Sequence, residues 1–165
     1  MGELRDLNDA NSKKTNKTYR KGENIPSGYY PMVVMVVIRN SKGEFLMQKR
    51  TQLKGGDGGV TGGHPKSGET LLQGIITEVK EELGLDFSKE NFIEYDAGCD
   101  GKDCYKMYFV NKDIDLKDIK IQEEELSEVK WFSIDELKHM VEIDELNENQ
   151  ISCFIKVCKF LEQKK

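Results

Sequence analysis

The feature that most constrains how this chain can fold is an uninterrupted run of seven apolar residues at positions 32–38. The run, MVVMVVI, is rich in β-branched side chains, which predicts a strand that is buried on both faces. It is far too short to cross a bilayer as a helix, since that takes about 20 apolar residues. An Asn-Ser-Lys-Gly turn follows, and residues 44–50 are predicted as the hairpin partner of this strand.

The overall composition excludes several classes of protein. A chain of 165 residues corresponds to one domain, and its 37% hydrophobic and 33% charged content lacks the signature of disorder. The formal net charge of −5 argues against a general nucleic-acid binder, which would carry a basic surplus. The first 12 residues have no apolar core of a secretory signal. We therefore expect a cytoplasmic protein with neither nucleic acid nor membrane among its partners.

The polar segment 1–30 is predicted to be an N-terminal extension ahead of a main domain at 31–165. Residues 3–7 and 18–21 are candidate strands of a hairpin within the extension. A Pro-Ser-Gly triplet then interrupts the chain before the apolar strand.

The four cysteines match no zinc site. Neither Cys99 with Cys104 nor Cys153 with Cys158 has the two-residue spacing of a zinc knuckle, and no histidine lies near them. Cys153 and Cys158 fall on a predicted helix and point in different directions. Because the cytoplasm keeps thiols reduced, we predict that all four are reduced structural thiols.

A glycine-dense stretch leads into an amphipathic helix. Six of the nine residues at 55–63 are glycine, which permits close approach to an anion, although a flexible loop is the commoner meaning of such a run. Residues 70–83 show helical periodicity and stop at Gly84, a typical C-terminal cap. The apolar positions share one arc of this helix: Leu72, Ile75, Ile76, Val79 and Leu83.

Three glutamates lie beside the apolar arc. Glu78, Glu81 and Glu82 share a second arc, and Gly74, four residues before Glu78, is expected to leave open space above them. Like charges at these spacings repel one another unless a divalent cation offsets the repulsion. Carboxylate oxygens suit Mg²⁺ or Mn²⁺. For the three acids alone, a solvated helix face is the commoner explanation.

The spacing of the whole segment 63–85 resembles the Nudix box, the signature G-x5-E-x7-R-E-U-x-E-E-x-G-U in which U is aliphatic. Eight of the nine fixed positions match, and Thr77 replaces the arginine of the remaining one. The order of elements over residues 30–143 is also similar to the family. The resemblance implies a Nudix fold of the α/β (α+β) class, in which a mixed β-sheet is sandwiched between helices and the box binds metal.

The resemblance also implies which box residues bind the cation, Mg²⁺ or Mn²⁺. Glu81 and Glu82 match the family's core metal ligands. Glu78 matches a ligand that serves in some members as the general base. The carbonyl of Gly63 often contributes to the metal shell in this family.

Two more acids have counterparts in the family. Glu69 matches the glutamate that normally pairs with the box arginine, so Thr77 removes that ion pair and is expected to slow turnover without removing a metal ligand. A further catalytic acid usually comes from a loop ahead of a late strand, and we favour Glu125. The acids available there are Glu123, Glu124, Glu125 and Glu128.

The implied chemistry is hydrolysis of a pyrophosphate bond. A diphosphate repels a nucleophile, so bound metal must neutralise phosphate oxygens while Glu78 or Glu125 takes a proton from the attacking water. Arg50, with Lys49 beside it, and Lys66 are candidates to hold a phosphate oxygen. The expected substrate is a nucleoside diphosphate linked to another group, such as a nucleotide sugar, a dinucleotide or a nucleoside triphosphate.

A second, local resemblance concerns Gly-Gly-His-Pro at 62–65, which is similar to the Cys-Gly-His-Pro of isopentenyl-diphosphate isomerases on the same fold. Gly62 stands where those enzymes have a catalytic cysteine, and His64 and His139 are too few for a three-histidine metal site. Isomerase activity is therefore not expected. His64 is a candidate for contact with substrate phosphate, and His139 is predicted to be structural.

The rest of the chain is predicted to be framework. Residues 92–97 and 105–110 are candidate strands, and a helix is expected at 133–141. A last helix at 150–161 carries an apolar stripe. We expect this stripe to pack on the same domain, with packing against a second copy in a homodimer as the alternative.

Two functional hypotheses follow. The first is an enzyme that hydrolyses such a diphosphate. The second is a catalytically weak Nudix-fold module that binds the ligand, and it is suggested by Thr77. Turnover of a panel of nucleotides with Mg²⁺ or Mn²⁺ distinguishes them.

Overall fold

The strands and helices follow one another in the predicted order. A computed structural model describes residues 2–56 and 58–164. The strands within these ranges are β1 Leu4–Asn8, β2 Lys14–Arg20, β3 Met32–Arg39, β4 Phe45–Arg50, β5 Gly58–Gly59, β6 Thr61–Gly63, β7 Ile93–Cys99, β8 Cys104–Asn111 and β9 Leu126–Phe132. The α-helices are α1 Leu71–Leu83, α2 Ile134–Glu142 and α3 Glu148–Gln163.

The central sheet is mixed because β3 pairs with one parallel strand and two antiparallel strands in the described residues. β3 runs parallel to β8 over its whole length, from Met32 opposite Cys104 to Arg39 opposite Asn111. β7 and β8 form an antiparallel hairpin at one edge, and β4 pairs antiparallel with β9. The apolar run at 32–38 therefore lies in the interior of the sheet, as its composition predicts.

The hairpin predicted from the first two strands of this sheet opens directly after its turn. β3 and β4 pair at Arg39 and Phe45. Beyond that pair, the glycine-rich segment lies between them, with β5 paired to β4 and β6 paired to β3. Glycine suits this position because a Cβ on Gly62 would lie 2.6 Å from the carbonyl oxygen of Val34. Residues 58–63, part of the segment that resembles a flexible loop in sequence, thus contribute two short strands between the diverging β3 and β4.

Helices cover both faces of the sheet. Alternate residues of β3 point to opposite faces, so that Val36 packs in the layer of α1 and Val37 in the layer of α2 and α3. Ile75 and Val79 of α1 are fully buried in the first layer, and full burial of such a side chain contributes about 1.5–3 kcal/mol. This arrangement confirms the predicted architecture of a mixed sheet sandwiched between helices.

The last helix packs within the same domain, as predicted. Asn147 caps α3 by accepting a hydrogen bond from the backbone N–H of Gln150 at 2.8 Å. Ile151, Phe154 and Val157 are buried, and the Phe154 ring meets Phe45 edge-on with the centroids 5.4 Å apart. In the described part of the chain, no helix is both long enough and apolar enough to span a membrane.

The N-terminal segment forms a separate two-stranded antiparallel sheet of β1 and β2. β2 begins at Lys14, earlier than the sequence predicts. Leu7 of β1 and Tyr19 of β2 are buried. Asn8 exchanges backbone hydrogen bonds of 2.8 Å with Tyr30, which ties the hairpin to the start of the main sheet. The division of the chain into an extension and a main domain stays a prediction.

The prediction that all four cysteines are reduced is wrong for one pair. Cys99 and Cys104 stand opposite each other in the β7–β8 hairpin and form a disulfide. Their sequence spacing does not reveal this, because the strand register brings the two side chains together. Cys153 and Cys158 are free thiols, as predicted.

Candidate active site

Capping at both ends fixes the position of α1. Thr70 accepts a hydrogen bond from the Gln73 backbone N–H at 3.1 Å, and the Gln73 side chain accepts one from the Thr70 N–H at 2.8 Å. At the other end Gly84 has a φ of 67°, a left-handed conformation that favours glycine. The helix predicted at 70–83 is confirmed, and it carries the three box glutamates at the edge of its buried face.

Glu78 lies directly against the backbone of Gly63. A Cβ on Gly63 would stand 2.5 Å from Glu78 Oε1 and 2.8 Å from Oε2, so glycine is required where this carboxylate approaches. Burial raises the pKa of Glu78 to about 8, and the negative charges of Glu82 and Glu81 add to the effect. Two fixed positions of the box are thus explained by one contact.

Glu82 is held by a neutral amide. Gln48 of β4 donates from Nε2 to Glu82 Oε2 at 3.0 Å, and Thr61 of β6 donates to Gln48 Oε1 at 2.7 Å, which fixes the orientation of the amide. Burial raises the pKa of Glu82, the hydrogen bond from Gln48 opposes this rise, and the charge of Glu125 adds to it. The half-buried carboxylate therefore carries a charge that its surroundings compensate incompletely.

Glu81 faces outward and forms an ion pair with Lys66. The distance from Lys66 Nζ to Glu81 Oε1 is 3.3 Å, and both side chains are 46% exposed. An exposed pair of this kind contributes about 0–1 kcal/mol, so either partner exchanges it readily for another ion. Lys66 is thereby located beside the acids, as its place in the box suggests.

Thr77, the departure from the box, still bonds to Glu69. Its hydroxyl donates to Glu69 Oε2 at 3.0 Å, while the backbone N–H of Lys66 donates to Oε1 at 2.7 Å. Both oxygens of Glu69 therefore join the box loop to α1 without an arginine. A hydroxyl provides one hydrogen bond where arginine offers a charged fork, so the connection is weaker.

The expectation that Gly74 leaves open space above the acids is wrong. Gly74 is buried, and a Cβ there would lie 2.9 Å from the Cβ and the Cγ of Pro65. The space that a side chain at position 74 would fill is occupied by the box loop, which packs closely on the first turns of α1. Helical periodicity gives the direction of a residue but not the position of a preceding loop.

Glu125 is the late acid whose charge acts on the box. It is half-buried, whereas the other three candidates before and in β9 are exposed. Its charge raises the pKa of Glu82, and its own Oε1 lies 3.4 Å from Lys54 Nζ. Its backbone carbonyl accepts a hydrogen bond from the Thr51 N–H at 3.0 Å, which fixes this loop to the end of β4. A role as general base stays a prediction.

The two histidines have other partners. His64 Nδ1 lies 3.0 Å from the carbonyl oxygen of Met32, and burial, together with the charge of Arg5, lowers the pKa of His64. A neutral ring that donates from Nδ1 has an acceptor at Nε2, which suits a hydroxyl donor better than a phosphate oxygen. His139 on α2 lies 3.4 Å from Glu142, on an exposed part of the surface. A substrate contact of His64 stays a prediction.

A cavity of about 480 Å³ is lined by Gln48 and Arg50 of β4. The box glutamates do not line it, and Gln48 links it to the site because its amide donates to Glu82. Its walls combine apolar side chains of the sheet with polar ones from the start of α3. These lining residues include Met35, Tyr105, Met107, Asn147, Asn149, Ser152 and Lys156.

The donor atoms around Gly63 fit a hard divalent cation, because all are carboxylate or carbonyl oxygens. Glu78 and Glu82 have raised pKa values, and neither forms an ion pair within residues 2–56 and 58–164. Over the same ranges, no three acidic, histidine or cysteine side chains converge into a ready-made cation site. The donor chemistry therefore suits a metal, and binding it requires the carboxylates to turn toward a shared point.

Sequence reasoning missed Gln48, Thr61 and Lys54. Gln48 is 7% exposed and follows the buried residues Phe-Leu-Met of β4. A buried polar side chain needs a partner, so a glutamine in an apolar strand was a usable signal. Thr61 and Lys54 gave no such signal in the sequence, since their contacts depend on how the glycine-rich insert and the turn after β4 are placed.

Comparison with known proteins identifies the family. A family model, the NUDIX domain, matches residues 29–152. An uncharacterized Nudix hydrolase of Listeria innocua is 35% identical over 143 residues, and one of Listeria monocytogenes is 34% identical over 143 residues. In both cases the match covers 81% of this chain and 81% of the relative.

Solved structures show the same fold at low sequence identity. A protein of Deinococcus radiodurans has a TM-score of 0.72 at 19% identity, over 87% of this chain and 91% of that one. The NUDIX domain of Shewanella oneidensis NrtR, in complex with ADP-ribose, has a TM-score of 0.64 at 15% identity, over 87% and 94%. The box geometry, the family model and the Listeria relatives all lead to one conclusion. The chain belongs to the Nudix family and is a pyrophosphohydrolase.

Proposed function

We propose that this enzyme uses Mg²⁺ or Mn²⁺ to cleave the pyrophosphate bond of a nucleoside diphosphate linked to another group. The observation that carries the proposal is the half-buried pair Glu78 and Glu82, whose pKa values are raised by burial and which form no ion pair within the described ranges. A divalent cation stabilises the charged forms of such a pair. ADP-ribose, bound by the Shewanella oneidensis domain, belongs to this substrate class.

The residues that would hold the cation are Gly63, through its carbonyl, and Glu78, Glu81 and Glu82. A bound cation supplies neutralisation of phosphate oxygens and activation of water. Glu81 is available because its ion pair with Lys66 is exposed. Gln48 keeps the Glu82 carboxylate oriented, so part of the site is organised in advance.

Basic residues on two sides are proposed to bind the phosphates. Lys66, on exchanging Glu81 for an anion, would hold a non-bridging oxygen. Arg50 lines the cavity of about 480 Å³, and its charge lowers the pKa of Glu82. Glu78 and Glu125 are the two candidates to take the proton of the attacking water.

The 480 Å³ cavity is proposed to take the nucleoside. Its volume lies in the range of small-molecule sites, and its apolar wall is suited to the flat face of a base. Amide side chains of Asn147 and Asn149 at the start of α3 line the same cavity and offer donors and acceptors for the edge of a base.

The test is phosphate release from nucleotide sugars, dinucleotides and nucleoside triphosphates in the presence of Mg²⁺ or Mn²⁺, with a coupled phosphatase where the product requires it. Turnover of a compound with two linked phosphate groups, abolished by EDTA, is the expected result. Ligand binding without turnover of any compound would support the alternative suggested by Thr77, a Nudix-fold binding module.

A further inference from the structure

We propose that Asp6, in the N-terminal hairpin, is a positioning residue that holds the box loop so that Lys66 can bind substrate phosphate. Its Oδ1 accepts a hydrogen bond from the Ser67 hydroxyl at 2.8 Å, and its Oδ2 accepts one from the Gly68 backbone N–H at 3.1 Å. The inference rests on the proposed function, because Lys66 is assigned there as a phosphate ligand.

The hairpin reaches the box loop through backbone as well as side chain. The Ser67 N–H donates to the Leu4 carbonyl of β1 at 2.8 Å, so consecutive residues of the loop bond to the same strand. Lys14 Nζ of β2 lies 3.2 Å from Asp6 Oδ2, the oxygen that also accepts from Gly68, and this ion pair helps to hold the carboxylate. The contact spans 61 residues of sequence and joins the extension to the box.

Ser67 and Gly68, at the tip of the loop, bond to β1, whereas the neighbouring Lys66 N–H bonds to Glu69. Before the tip, His64 is bonded to Met32, and after it Glu69 is bonded to Thr77. Between them, Gly68 is exposed and has a φ of 90°, and its backbone N–H bonds to Asp6. Lys66 precedes Ser67 directly, so the hairpin restricts the origin of the lysine side chain.

Restriction of Lys66 matters because its ion pair with Glu81 is exposed and weak. A long side chain that begins from a mobile loop loses more conformational entropy when it binds a phosphate. When the hairpin holds the loop, the loop has already lost this conformational entropy on folding, and less is lost when phosphate binds. A phosphate ligand of this kind contributes equally to the bound substrate and the transition state, so its loss raises KM and leaves kcat unchanged.

The experiment compares Asp6→Asn with Asp9→Asn as the matched control. Asparagine at position 6 has one acceptor oxygen for two donors, so one loop hydrogen bond is lost. Asp9 lies in the same hairpin, but its carboxylate accepts hydrogen bonds from Asn11 and Lys13 of its own turn. Binding of imidodiphosphate with Mg²⁺ is measured by calorimetry, and KM and kcat are measured with any substrate found.

We expect Asp6→Asn to weaken imidodiphosphate binding and raise KM by about tenfold, equivalent to about 1.4 kcal/mol, with kcat within about twofold of wild type. Asp9→Asn should change neither. In a Lys66→Ala background, Asp6→Asn should have no further effect, because the two residues act through one contact. If Asp6→Asn does not fold, Ser67→Ala removes one of the same hydrogen bonds and takes its place.

Unchanged binding in Asp6→Asn, or an equal effect of that substitution with and without Lys66, overturns the inference. A fall in kcat with unchanged KM overturns it as well. Failure of the proposed function is seen in the wild type itself, which would then neither bind imidodiphosphate nor hydrolyse any compound, and the inference would fall with it.

Discussion

The four glutamates at the fixed positions of the box form two pairs that differ in their bonding partners. Glu69 and Glu81 have partners within the protein, Thr77 for the first and Lys66 for the second. Glu78 and Glu82 are half-buried, and in the described residues neither meets a basic side chain in an ion pair. The signature treats all four alike, yet the structure gives the first pair a bonded partner and leaves the carboxylates of the second pair without an ion pair in the described residues.

The largest effect is expected from Glu82→Gln, compared with Glu69→Gln. Glutamine at position 82 removes a charge that we propose to be a metal ligand, so kcat should fall by more than about 100-fold. Glutamine at position 69 retains an acceptor for Thr77, and the loss should be smaller than about tenfold. Steady-state rates and circular dichroism of both variants check this. Equal losses would remove the distinction between the two pairs.

The next effect concerns the contact that keeps Glu78 in place. Gly63→Ala brings a Cβ to 2.5 Å from Glu78 Oε1 and forces the carboxylate away, with an expected destabilisation of about 1–3 kcal/mol and a matching loss of activity. Gly59→Ala is the control for stability, because a Cβ there meets no atom within 4 Å. Urea unfolding of the two variants and kcat/KM of Gly63→Ala are the measurements. If Gly59→Ala were as harmful as Gly63→Ala, the proposed contact would not be the cause.

A pH dependence should appear in protein freed of divalent cations. The folded-state pKa of Glu78, about 8, exceeds its ordinary value of 4.5, so the folded state binds the proton more tightly. The stability that results is fully present below about pH 4.5 and is lost as the pH rises through about 8.

Glu78→Gln isolates this contribution. Relative to wild type, the variant should gain about 1–3 kcal/mol of stability between pH 5 and pH 9, a value reduced from the full shift because the side chain is only half-buried. Urea unfolding in EDTA at several pH values is the measurement. A difference between the two proteins that does not change with pH would show that Glu78 is not the titrating group.

The smallest effect is expected at Thr77. Thr77→Val keeps the shape of the side chain but removes the hydrogen bond to Glu69, which should cost about 1 kcal/mol and lower the Tm by about 2–4 °C. Calorimetric melting is the measurement. Thr77→Arg restores the family's charged partner and should raise the Tm above wild type; a lower value would mean that the loop no longer accommodates arginine.

The sequence predicts the elements whose signals are local. The helix at 70–83 follows from periodicity and a C-terminal glycine, and the buried strand at 32–38 follows from a continuous apolar run. The helix and the strand need no knowledge of distant segments. The resemblance to the Nudix box implied that Gly63 and Glu78 belong to one site, and in the structure the Glu78 carboxylate lies against Gly63.

Features that depend on register or on distant segments were not predictable. The Cys99–Cys104 disulfide follows from the pairing of β7 with β8, and the close packing of Gly74 follows from the path of the box loop. The hydrogen bond from Gln48 to Glu82 joins residues 34 positions apart, across the boundary between strand and helix. No pattern within either segment contains that information.

The glycine-rich insert between β3 and β4 has a consequence for how this site tolerates change in length. β6 is bound to β3 by its own pairs, so Gly63 keeps its place regardless of the path by which the chain arrives from β4. Residues added after Lys54 would lengthen the connection that leads to the cavity-lining Gly58 and Gly59, and doubling a loop costs only about 0.6 kcal/mol in closure entropy. The architecture thus lets this connection change in length while Gly63 and the box glutamates stay in register.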